Sequence, residues 1–454
     1  MEDKTLEDGD EGAADHAVLT DCRGRCGNKQ MRVLILNTSE KTGGAAVAAN
    51  RLMEALNNNG VKAKMLVRDK ETDCITVVGL RQSLMQQWRF LWERWVIFWH
   101  LRFSRKHLFE IDIANSGTDI TSMREFREAD VIHLHWINQG FLSLKIIRRI
   151  LESGKPVVWT MHDIWPATGI CHITHDCRRF QSVCRNCRYM GGGAGDNDFA
   201  YKTWCRKREM LDGQHLNIVA CSQWLAGEAR KSALLAGLPV TSIPNPIDTR
   251  LYCKKSREEA RQRLGLPLGK RIILFVAQRA TNVNKGMSFL VDACRLLAQH
   301  DPEMVNNTCV AILGGHADEV MAEIPFEAFP LGYTSDVARI VDVYNACDVF
   351  VLPSLSENLP NTIMEAMACG VPCVGFKVGG IPEMIDHKRN GYVAKFRDTA
   401  DLADGIYWVL NEADAAGLSD NCQRKVAACY SQQAVALRYI EVYNQALAFK
   451  HYKI

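Results

Sequence analysis

The sequence predicts an α/β protein built from two doubly wound parallel sheets. Short apolar runs without polar alternation, such as residues 33–36 and 349–352, are typical of strands that are buried on both faces. Polar loops and segments with helical apolar spacing follow these runs, which is the order expected of βαβ units. The same alternation occurs in both halves of a chain of 454 residues, which is long enough for two or three domains.

The overall composition is that of an ordinary globular protein. Hydrophobic residues make up 47% and charged residues 24% of the chain, as in typical soluble domains. A net charge of +3 gives no reason to expect a nucleic-acid partner. No apolar run reaches the length of about 18 residues that a membrane-spanning helix requires. The first 30 residues are acidic and polar, without the apolar core of a signal peptide.

Cysteine usage points to a reducing compartment. Seventeen cysteines without a secretory signal are expected to be mostly free, buried thiols. We therefore expect a cytoplasmic protein. Residues 1–30 are rich in Asp, Glu and Gly, so we expect them to form a disordered tail. The fold should then begin at Met31.

The first half contains a series of predicted strands and helices. The strand at residues 33–36 leads through Gly43 and Gly44 into a helix from residue 45 to about residue 58. A second helix is expected at residues 145–151. The remaining strands are predicted at residues 131–135, 156–161, 217–221 and 240–243.

Two strand ends in this half carry candidate ligand contacts. A glycine pair such as Gly43–Gly44 lets a phosphate approach the backbone closely, although simple turn chemistry also explains it. The pair lacks the three spaced glycines of the dinucleotide fingerprint. His162 follows the strand at residues 156–161, where side chains reach the crevice of an open sheet. It could donate to a ligand there or cap its own loop.

Residues 83–109 combine tryptophans with basic residues. Trp88, Trp92, Trp95 and Trp99 recur at helical spacing and form one aromatic face. The basic residues of the segment are Arg89, Arg94, Arg102, Arg105 and Lys106. Interfacial helices have this composition, and anionic lipid would attract the basic residues. Packing of the tryptophans into the domain core is the alternative.

Four cysteines lie close together in the sequence: Cys171, Cys177, Cys184 and Cys187. The last two form a Cys-x-x-Cys pair, and four thiolates at such spacing could close a tetrahedral zinc site that holds an irregular loop together. The role would be structural, because all four thiols would be used as ligands. The first pair has loose spacing, so ordinary free thiols remain the alternative.

The second half begins with a strand at residues 272–277, which leads into a polar loop. Arg279 and Lys285 lie in this loop, ahead of a helix at residues 288–298. Two cations at the carboxyl end of a strand could clamp a diphosphate and neutralise its charge as it leaves. Solvated surface charges are the alternative. Residues 310–313 form the next predicted strand.

Residues 348–375 form one complete βαβ unit. A buried strand at 349–352 is followed by a polar loop, a helix at 363–367 and a second strand at 372–376. Glu357 lies in the loop and Glu365 in the helix, and Asn361 and Thr362 lie where the helix begins. Free backbone N–H groups at that point can bind an anion. A cradle of this kind with a carboxylate on either side suits a sugar nucleotide, although an acidic residue near a helix start is also ordinary.

This stretch resembles the signature of the retaining glycosyltransferases of family 4, which have the GT-B fold of two Rossmann-like domains facing a cleft. The resemblance implies that Glu357 contacts the transferred sugar and Glu365 holds the ribose hydroxyls. Asn358, Leu359, Asn361 and Thr362 belong to the same donor-binding stretch. The start of a helix at residues 379–383 is also similar to the family.

The resemblance extends to the other candidate residues. It implies that Arg279 and Lys285 hold the donor diphosphate, and that His162 lies near the reacting carbon. The loop with Gly43 and Gly44 would face the diphosphate and the acceptor. In GT-B proteins a terminal helix crosses back to the first domain, and the helical spacing in residues 431–450 fits such a helix.

We therefore expect a first domain at residues 31–243, a linker at 244–270, a second domain at 271–430 and a crossing helix at 431–454. The expected activity is metal-independent, retaining transfer of a hexosyl group from a nucleoside diphosphate sugar. The acceptor would be a saccharide or a lipid-linked molecule in cell-surface polysaccharide synthesis, and the enzyme could be peripheral on the inner face of the membrane. The alternatives are a non-catalytic scaffold that binds sugar nucleotide or zinc, and a GT-B sugar-nucleotide epimerase.

Overall fold

The computed structural model describes residues 30–81 and 83–451, with side chains described as far as residue 448. The tail predicted at residues 1–30 lies outside the described residues except for Gln30. The described chain forms two α/β halves, each with one parallel sheet. The prediction of two parallel-sheet halves is therefore confirmed.

The sheet of the first half has seven strands in the described residues, all parallel. They are β1 (Arg32–Ser39), β2 (Lys62–Asp69), β3 (Val77–Gly79), β4 (Val131–Leu134), β5 (Val157–Met161), β6 (Asn217–Ala220) and β7 (Val240–Ser242). Their order across the sheet is β3-β2-β1-β4-β5-β6-β7. The sequence pattern did not predict β2 and β3.

Helices pack on both faces of this sheet, because its strands are apolar on both sides. The helices of the first half are α1 (Gly44–Asn58), α2 (Leu84–His100), α3 (Arg124–Glu128), α4 (Leu144–Leu151), α5 (Phe199–Leu211) and α6 (Gln223–Lys231). Ser222 caps α6, since its hydroxyl accepts the N–H of Leu225 at 3.0 Å. Serine is among the residues that favour this capping position.

The second half contains a six-stranded parallel sheet in the described residues. Its strands are β8 (Arg271–Arg279), β9 (Thr308–Gly315), β10 (Glu327–Gly332), β11 (Val349–Leu352), β12 (Cys373–Phe376) and β13 (Gly391–Ala394). Their order is β10-β9-β8-β11-β12-β13. The helices are α7 (Arg257–Leu264), α8 (Met287–His300), α9 (Met304–Asn307), α10 (Asp318–Met321), α11 (Val337–Ala346), α12 (Asn361–Ala368), α13 (Ile381–Met384), α14 (Thr399–Tyr407), α15 (Ala415–Cys429) and α16 (Gln432–His451).

Helix α7 lies inside the segment predicted to be a linker. Ala260 of this helix and the neighbouring Ile247 and Leu266 are buried in the core of the second half. The guanidinium of Arg261 contacts Asp348 at 2.8 Å, next to β11. Much of the predicted linker therefore packs as part of the second half. The domain boundaries given above stay a prediction.

Helix α16 packs on the first half although it follows the second half in sequence. Val435, Tyr439 and Tyr443 are buried in one core with residues of α1 and β1. The hydroxyl of Tyr443 contacts His133 Nδ1 at 2.7 Å, and that of Tyr439 contacts Thr160 Oγ1 at 3.0 Å. Leu437 of the same helix is exposed.

In the part of the chain that is described, no helix combines the length and the apolar character needed to cross a bilayer.

Candidate active site

A cavity of about 870 Å³ lies between the carboxyl ends of the two sheets. His162, Asp163 and His172 line it from the first half, and Glu357 and Asn358 line it from the second half. Open α/β sheets bind ligands outside the carboxyl ends of their strands. The position of the cavity is therefore that of a ligand site shared by both halves.

Glu357, which lines this cavity, forms an ion pair with Lys285, which is not among the lining residues. The Lys285 ammonium lies 2.5 Å from Glu357 Oε1, which also accepts the hydroxyl of Ser354 at 3.0 Å. Gly286 makes the approach possible, because a Cβ at this position would lie 1.9 Å from the carbonyl oxygen of Pro353. Its φ of 75° also favours glycine. The backbone therefore fixes the lysine beside the glutamate.

The loop that carries Glu357 rests on a second glycine turn. A Cβ at Gly379 would lie 1.7 Å from the carbonyl oxygen of Glu357, and the N–H of Gly380 donates to the carbonyl of Asn358 at 2.8 Å. The Asn358 amide in turn donates to the backbone carbonyl of His162 at 3.1 Å. Residues 357–358 are thus held between the two halves of the molecule.

The N-terminus of α12 faces the glycine turn of the first half. The Asn361 side chain accepts from Asn245 at 3.0 Å and donates to the carbonyl of Gly44 at 3.3 Å. The turn at Gly43 has a φ of 93° and leads directly into α1. Leu359, by contrast, is buried in the apolar core of the second half, which leaves only its backbone for a ligand.

Glu365 and Arg279 lie apart from the Lys285–Glu357 pair. Glu365 is buried, and its two oxygens contact Arg51 at 2.6 Å and the hydroxyl of Tyr344 at 2.9 Å. Arg279 is exposed, with a guanidinium nitrogen 3.2 Å from His316 Nε2. Neither residue is among those that line the cavity. Arg51 was missed by the sequence analysis, and no local signal marks a partner 314 positions away.

His162 belongs to a buried histidine cluster beneath the cleft. Its Nε2 contacts His135 Nδ1 at 2.8 Å, and its Nδ1 lies 3.4 Å from Cys221 Sγ. Burial lowers the pKa of His162 to about 4 and that of His133 to about 3. Both imidazoles are therefore neutral near pH 7. Both ring nitrogens of His162 have partners in the first half, and its backbone carbonyl accepts the Asn358 amide of the second half.

A second polar network on the first-half side was also missed. His172 contacts Asp163 through Nδ1 at 2.7 Å and Asp112 through Nε2 at 2.6 Å. Asp112 in turn pairs with Arg94 of α2. Asp163 could have been found by the argument used for His162, because it follows the same strand by one further residue. The distant Asp112 offers no such signal.

The predicted zinc site at Cys171, Cys177, Cys184 and Cys187 is not supported. Among the described residues, no group of His, Cys, Asp and Glu side chains is arranged to hold a metal ion. The four are free thiols, and all four line one small cavity of about 20 Å³. Burial raises the pKa of Cys184 and of Cys187 to about 11.

Comparisons with known proteins connect this arrangement to one family. The model described as Glycosyltransferase Family 4 matches residues 42–251. The model described as Glycosyl transferases group 1 matches residues 270–412. The two matches fall on the two halves of the fold and together cover most of the chain.

Two relatives with similar sequences illustrate the family. A D-inositol 3-phosphate glycosyltransferase of Thermobispora bispora is 29% identical over 240 residues, which is 49% of this chain and 55% of the relative. An N-acetyl-alpha-D-glucosaminyl L-malate synthase of Bacillus anthracis is 26% identical over 217 residues, 46% of this chain and 54% of the relative. The chain thus spans about half the length of these curated relatives.

Solved structures share the fold over most of the chain. A sucrose-phosphate synthase from Thermosynechococcus elongatus has a TM-score of 0.64 at 18% identity, with 92% of this chain and all of that chain covered. Alr3699/HepE of Anabaena, solved with UDP and glucose, has a TM-score of 0.60 at 18% identity with the same coverage. Two parallel-sheet halves, the cleft between them and the two family matches lead to one conclusion: the chain belongs to the family 4 glycosyltransferases and has the GT-B fold.

Proposed function

We propose that the protein transfers a glycosyl group from a nucleoside diphosphate sugar to an acceptor hydroxyl with retention of configuration. The observation that carries this proposal is the ion pair of Lys285 with Glu357, the latter of which lines the cavity between the two halves. Its ammonium can neutralise a departing diphosphate, and its carboxylate can accept hydrogen bonds from sugar hydroxyls. Membership of the family supports the donor class.

Each residue at the donor side receives a role in this proposal. Glu357 orients the transferred sugar, while Lys285 and the free N–H groups at the start of α12 bind the diphosphate. Arg279 has an exposed, unbranched side chain that can turn from His316 towards the same phosphates. Each such positioned contact contributes about 3 kcal/mol to lowering the barrier. With these charges in place, the reaction requires no metal ion.

Glu365 is proposed to hold the ribose of the donor. Both its oxygens are occupied, one by Arg51 from the first half and the other by Tyr344. A ribose hydroxyl would therefore replace the Arg51 contact or share the same oxygen. Donor binding at this point would change the contact between α1 and α12, which belong to opposite halves.

The configuration is retained because the phosphate leaves and the acceptor hydroxyl attacks on the same face of the sugar. The bond between the anomeric carbon and the phosphate oxygen breaks, and the leaving phosphate accepts the proton of the acceptor hydroxyl. That hydroxyl oxygen then forms the new bond on the same face, so protons and charge balance without a covalent enzyme intermediate. His162 has a positioning role here, because its carbonyl fixes the Asn358 side chain.

The acceptor is proposed to be a saccharide or a lipid-linked molecule in cell-surface polysaccharide synthesis. The names of the two relatives describe an inositol phosphate and malate as their acceptors, and the first half faces the cleft with histidines and carboxylates that suit a hydroxyl-rich molecule. UDP-glucose is the first donor to test, because HepE was solved with it.

The experiment uses the full chain, a panel of labelled sugar nucleotides and NMR analysis of the product. Transfer with the anomeric configuration of the donor is expected, and an inverted product would contradict the proposed mechanism. Binding of the donor without turnover would favour a non-catalytic scaffold. Conversion of the donor to a different sugar nucleotide without transfer would favour an epimerase. Glu357→Gln should abolish turnover, whereas the exposed Glu209→Gln should not.

A further inference from the structure

One face of the first half is aromatic and exposed. We call it the aromatic face, and its members are the exposed side chains of Leu84, Met85, Trp88, Leu91, Trp92, Trp95, Trp99, Phe103 and Phe109. Trp88 is 65% exposed and Trp99 56%. The rings form a continuous row, with centroids 5.4 Å apart for Trp92–Trp95 and 5.5 Å apart for Trp95–Trp99. The structure therefore contradicts the alternative in which the tryptophans pack into the core.

The charged residues of α2 point the opposite way. Glu93 is fully buried and accepts the N–H groups of Ile113 at 3.1 Å and Ala114 at 2.7 Å. Arg94 is also buried, where it pairs with Asp112 and donates to the carbonyl of Leu108 at 2.7 Å. An ordinary surface helix has its apolar side inwards. In α2 the side with Glu93 and Arg94 is buried and holds the helix on the protein. The apolar side forms a large exposed patch, which is typical of an interaction surface.

Positive charge lies at one end of this patch. Arg102, Arg105 and Lys106 are exposed immediately after α2. Within α2 itself the acidic residue, Glu93, is buried. A partner for the aromatic face must therefore be apolar along α2 and negatively charged beyond the end of the helix.

We propose that the aromatic face binds the surface of an anionic lipid bilayer. Tryptophan favours the boundary between headgroups and acyl chains, and exposed Arg and Lys are attracted to anionic headgroups. A second copy of the chain is a poorer occupant, because two identical positive segments would repel each other in a symmetric interface. Helix α2 would lie in the plane of the membrane, with its buried side towards the protein.

The position of α2 relative to the cleft gives the docking a consequence. Arg94 of α2 contacts Asp112, Asp112 contacts His172, and His172 contacts Asp163 at the wall of the cavity. Docking through α2 thus brings the cleft near the membrane surface. If the proposed function holds, this placement suits an acceptor sugar that is anchored in the same bilayer.

The test measures sedimentation of the full chain with vesicles of phosphatidylcholine, with and without phosphatidylglycerol. Binding is expected only with the anionic vesicles, and Trp95→Ser with Trp99→Ser should lower the partition coefficient about tenfold. The matched control is Leu268→Ser with Tyr333→Ser, two exposed apolar residues of the second half. Because the tryptophan pair also loses ring contacts within the aromatic face, the melting temperature of each variant is measured to show that it remains folded.

A variant without three of the basic side chains separates the electrostatic contribution to membrane binding from the apolar one. Arg102→Gln, Arg105→Gln and Lys106→Gln should remove the dependence on phosphatidylglycerol and on salt. Failure of the native protein to sediment with anionic vesicles would overturn the proposal. Self-association that the Trp95→Ser and Trp99→Ser changes abolish would assign the face to a second copy and also overturn it. Transfer to a water-soluble acceptor should be unaffected, which keeps this result separate from the proposed function.

Discussion

The two sides of the cleft are held in place in different ways. On the side of the second half, short loops are fixed by close backbone approaches at Gly286 and Gly379 and by the Lys285–Glu357 pair. On the side of the first half, a long irregular segment between β5 and α5 is held by hydrogen bonds of His172 to Asp163 and Asp112. The first arrangement depends on the absence of a Cβ at two glycines, and the second depends on side-chain hydrogen bonds. A substitution should therefore disturb the first side where it adds a Cβ to a glycine, and the second side where it removes a hydrogen-bond partner.

The largest expected effect is at Lys285. Lys285→Ala removes the charge that would face the departing diphosphate, so kcat should fall by about 10³-fold, or about 4 kcal/mol. The measurement is single-turnover transfer from a labelled donor. The matched control is Lys270→Ala, because Lys270 pairs with Glu327 at 2.9 Å and is 30% exposed, compared with 31% for Lys285. A loss of similar size in the control would contradict the special role of Lys285.

Glu365→Gln tests a contact that joins the two halves. It leaves the buried guanidinium of Arg51 without its ionic partner, so the free energy of unfolding should fall by about 3 kcal/mol. Denaturant titration measures this loss. In an Arg51→Met background the loss should shrink, since the unpaired charge is gone. Donor affinity should nevertheless fall in both backgrounds, and an unchanged Kd would count against the ribose role.

The histidine cluster gives the first half a dependence on pH. The pKa is about 3 for His133 and about 4 for His162 in the folded protein, because burial disfavours the imidazolium. The unfolded chain, with a histidine pKa near 6.5, binds more protons at acidic pH. The contribution of these two histidines to the free energy of unfolding is therefore fully present above pH 6.5. This contribution should fall as the pH drops towards 4, by about 1.4 kcal/mol per pH unit for each histidine.

Denaturant titrations across this pH range measure the slope. His133→Gln should flatten it, because one of the buried imidazoles is removed. The exposed His300→Gln serves as the control and should leave the slope as it is. An unaltered slope in the His133 variant would show that another group controls the pH dependence.

The smallest expected effect is at Glu383. Its carboxylate accepts the N–H groups of Gln223 at 2.7 Å and Trp224 at 2.6 Å, at the start of α6 in the opposite half. Glu383→Ala should cost about 1 kcal/mol of stability and let the halves separate, which X-ray scattering would detect as a larger radius of gyration. Ser256→Ala removes a cap within one half, at α7, and should cost a similar amount without that expansion. Expansion in both variants would contradict the role of Glu383 between the halves.

Much of the fold could be predicted from the sequence because its signals are local. Apolar runs marked β1, β4 and β11, and the residues around Asn361 marked the start of α12. Strand β2 was missed, since Lys62 and Lys64 interrupt its apolar pattern at an exposed stretch. The roles given to individual site residues stay predictions.

The remaining features depend on contacts that sequence spacing does not encode. Helical spacing of the tryptophans is the same whether their face is buried or exposed. The burial of Glu93 and Arg94 shows that the tryptophan face is the exposed one. The pairing of Arg51 with Glu365 joins residues that lie 314 positions apart. The four cysteines have spacing that suits a metal, yet spacing does not specify where the sulfur atoms point.

The crossing helix α16 has a consequence for how the protein is made. Tyr439 and Tyr443 complete the apolar core beneath β1, and their hydroxyls reach Thr160 and His133. A ribosome synthesises these tyrosines only after both sheets. The apolar surface that they cover on the first half therefore stays exposed while the second half is translated. We expect a chaperone to bind this surface during translation.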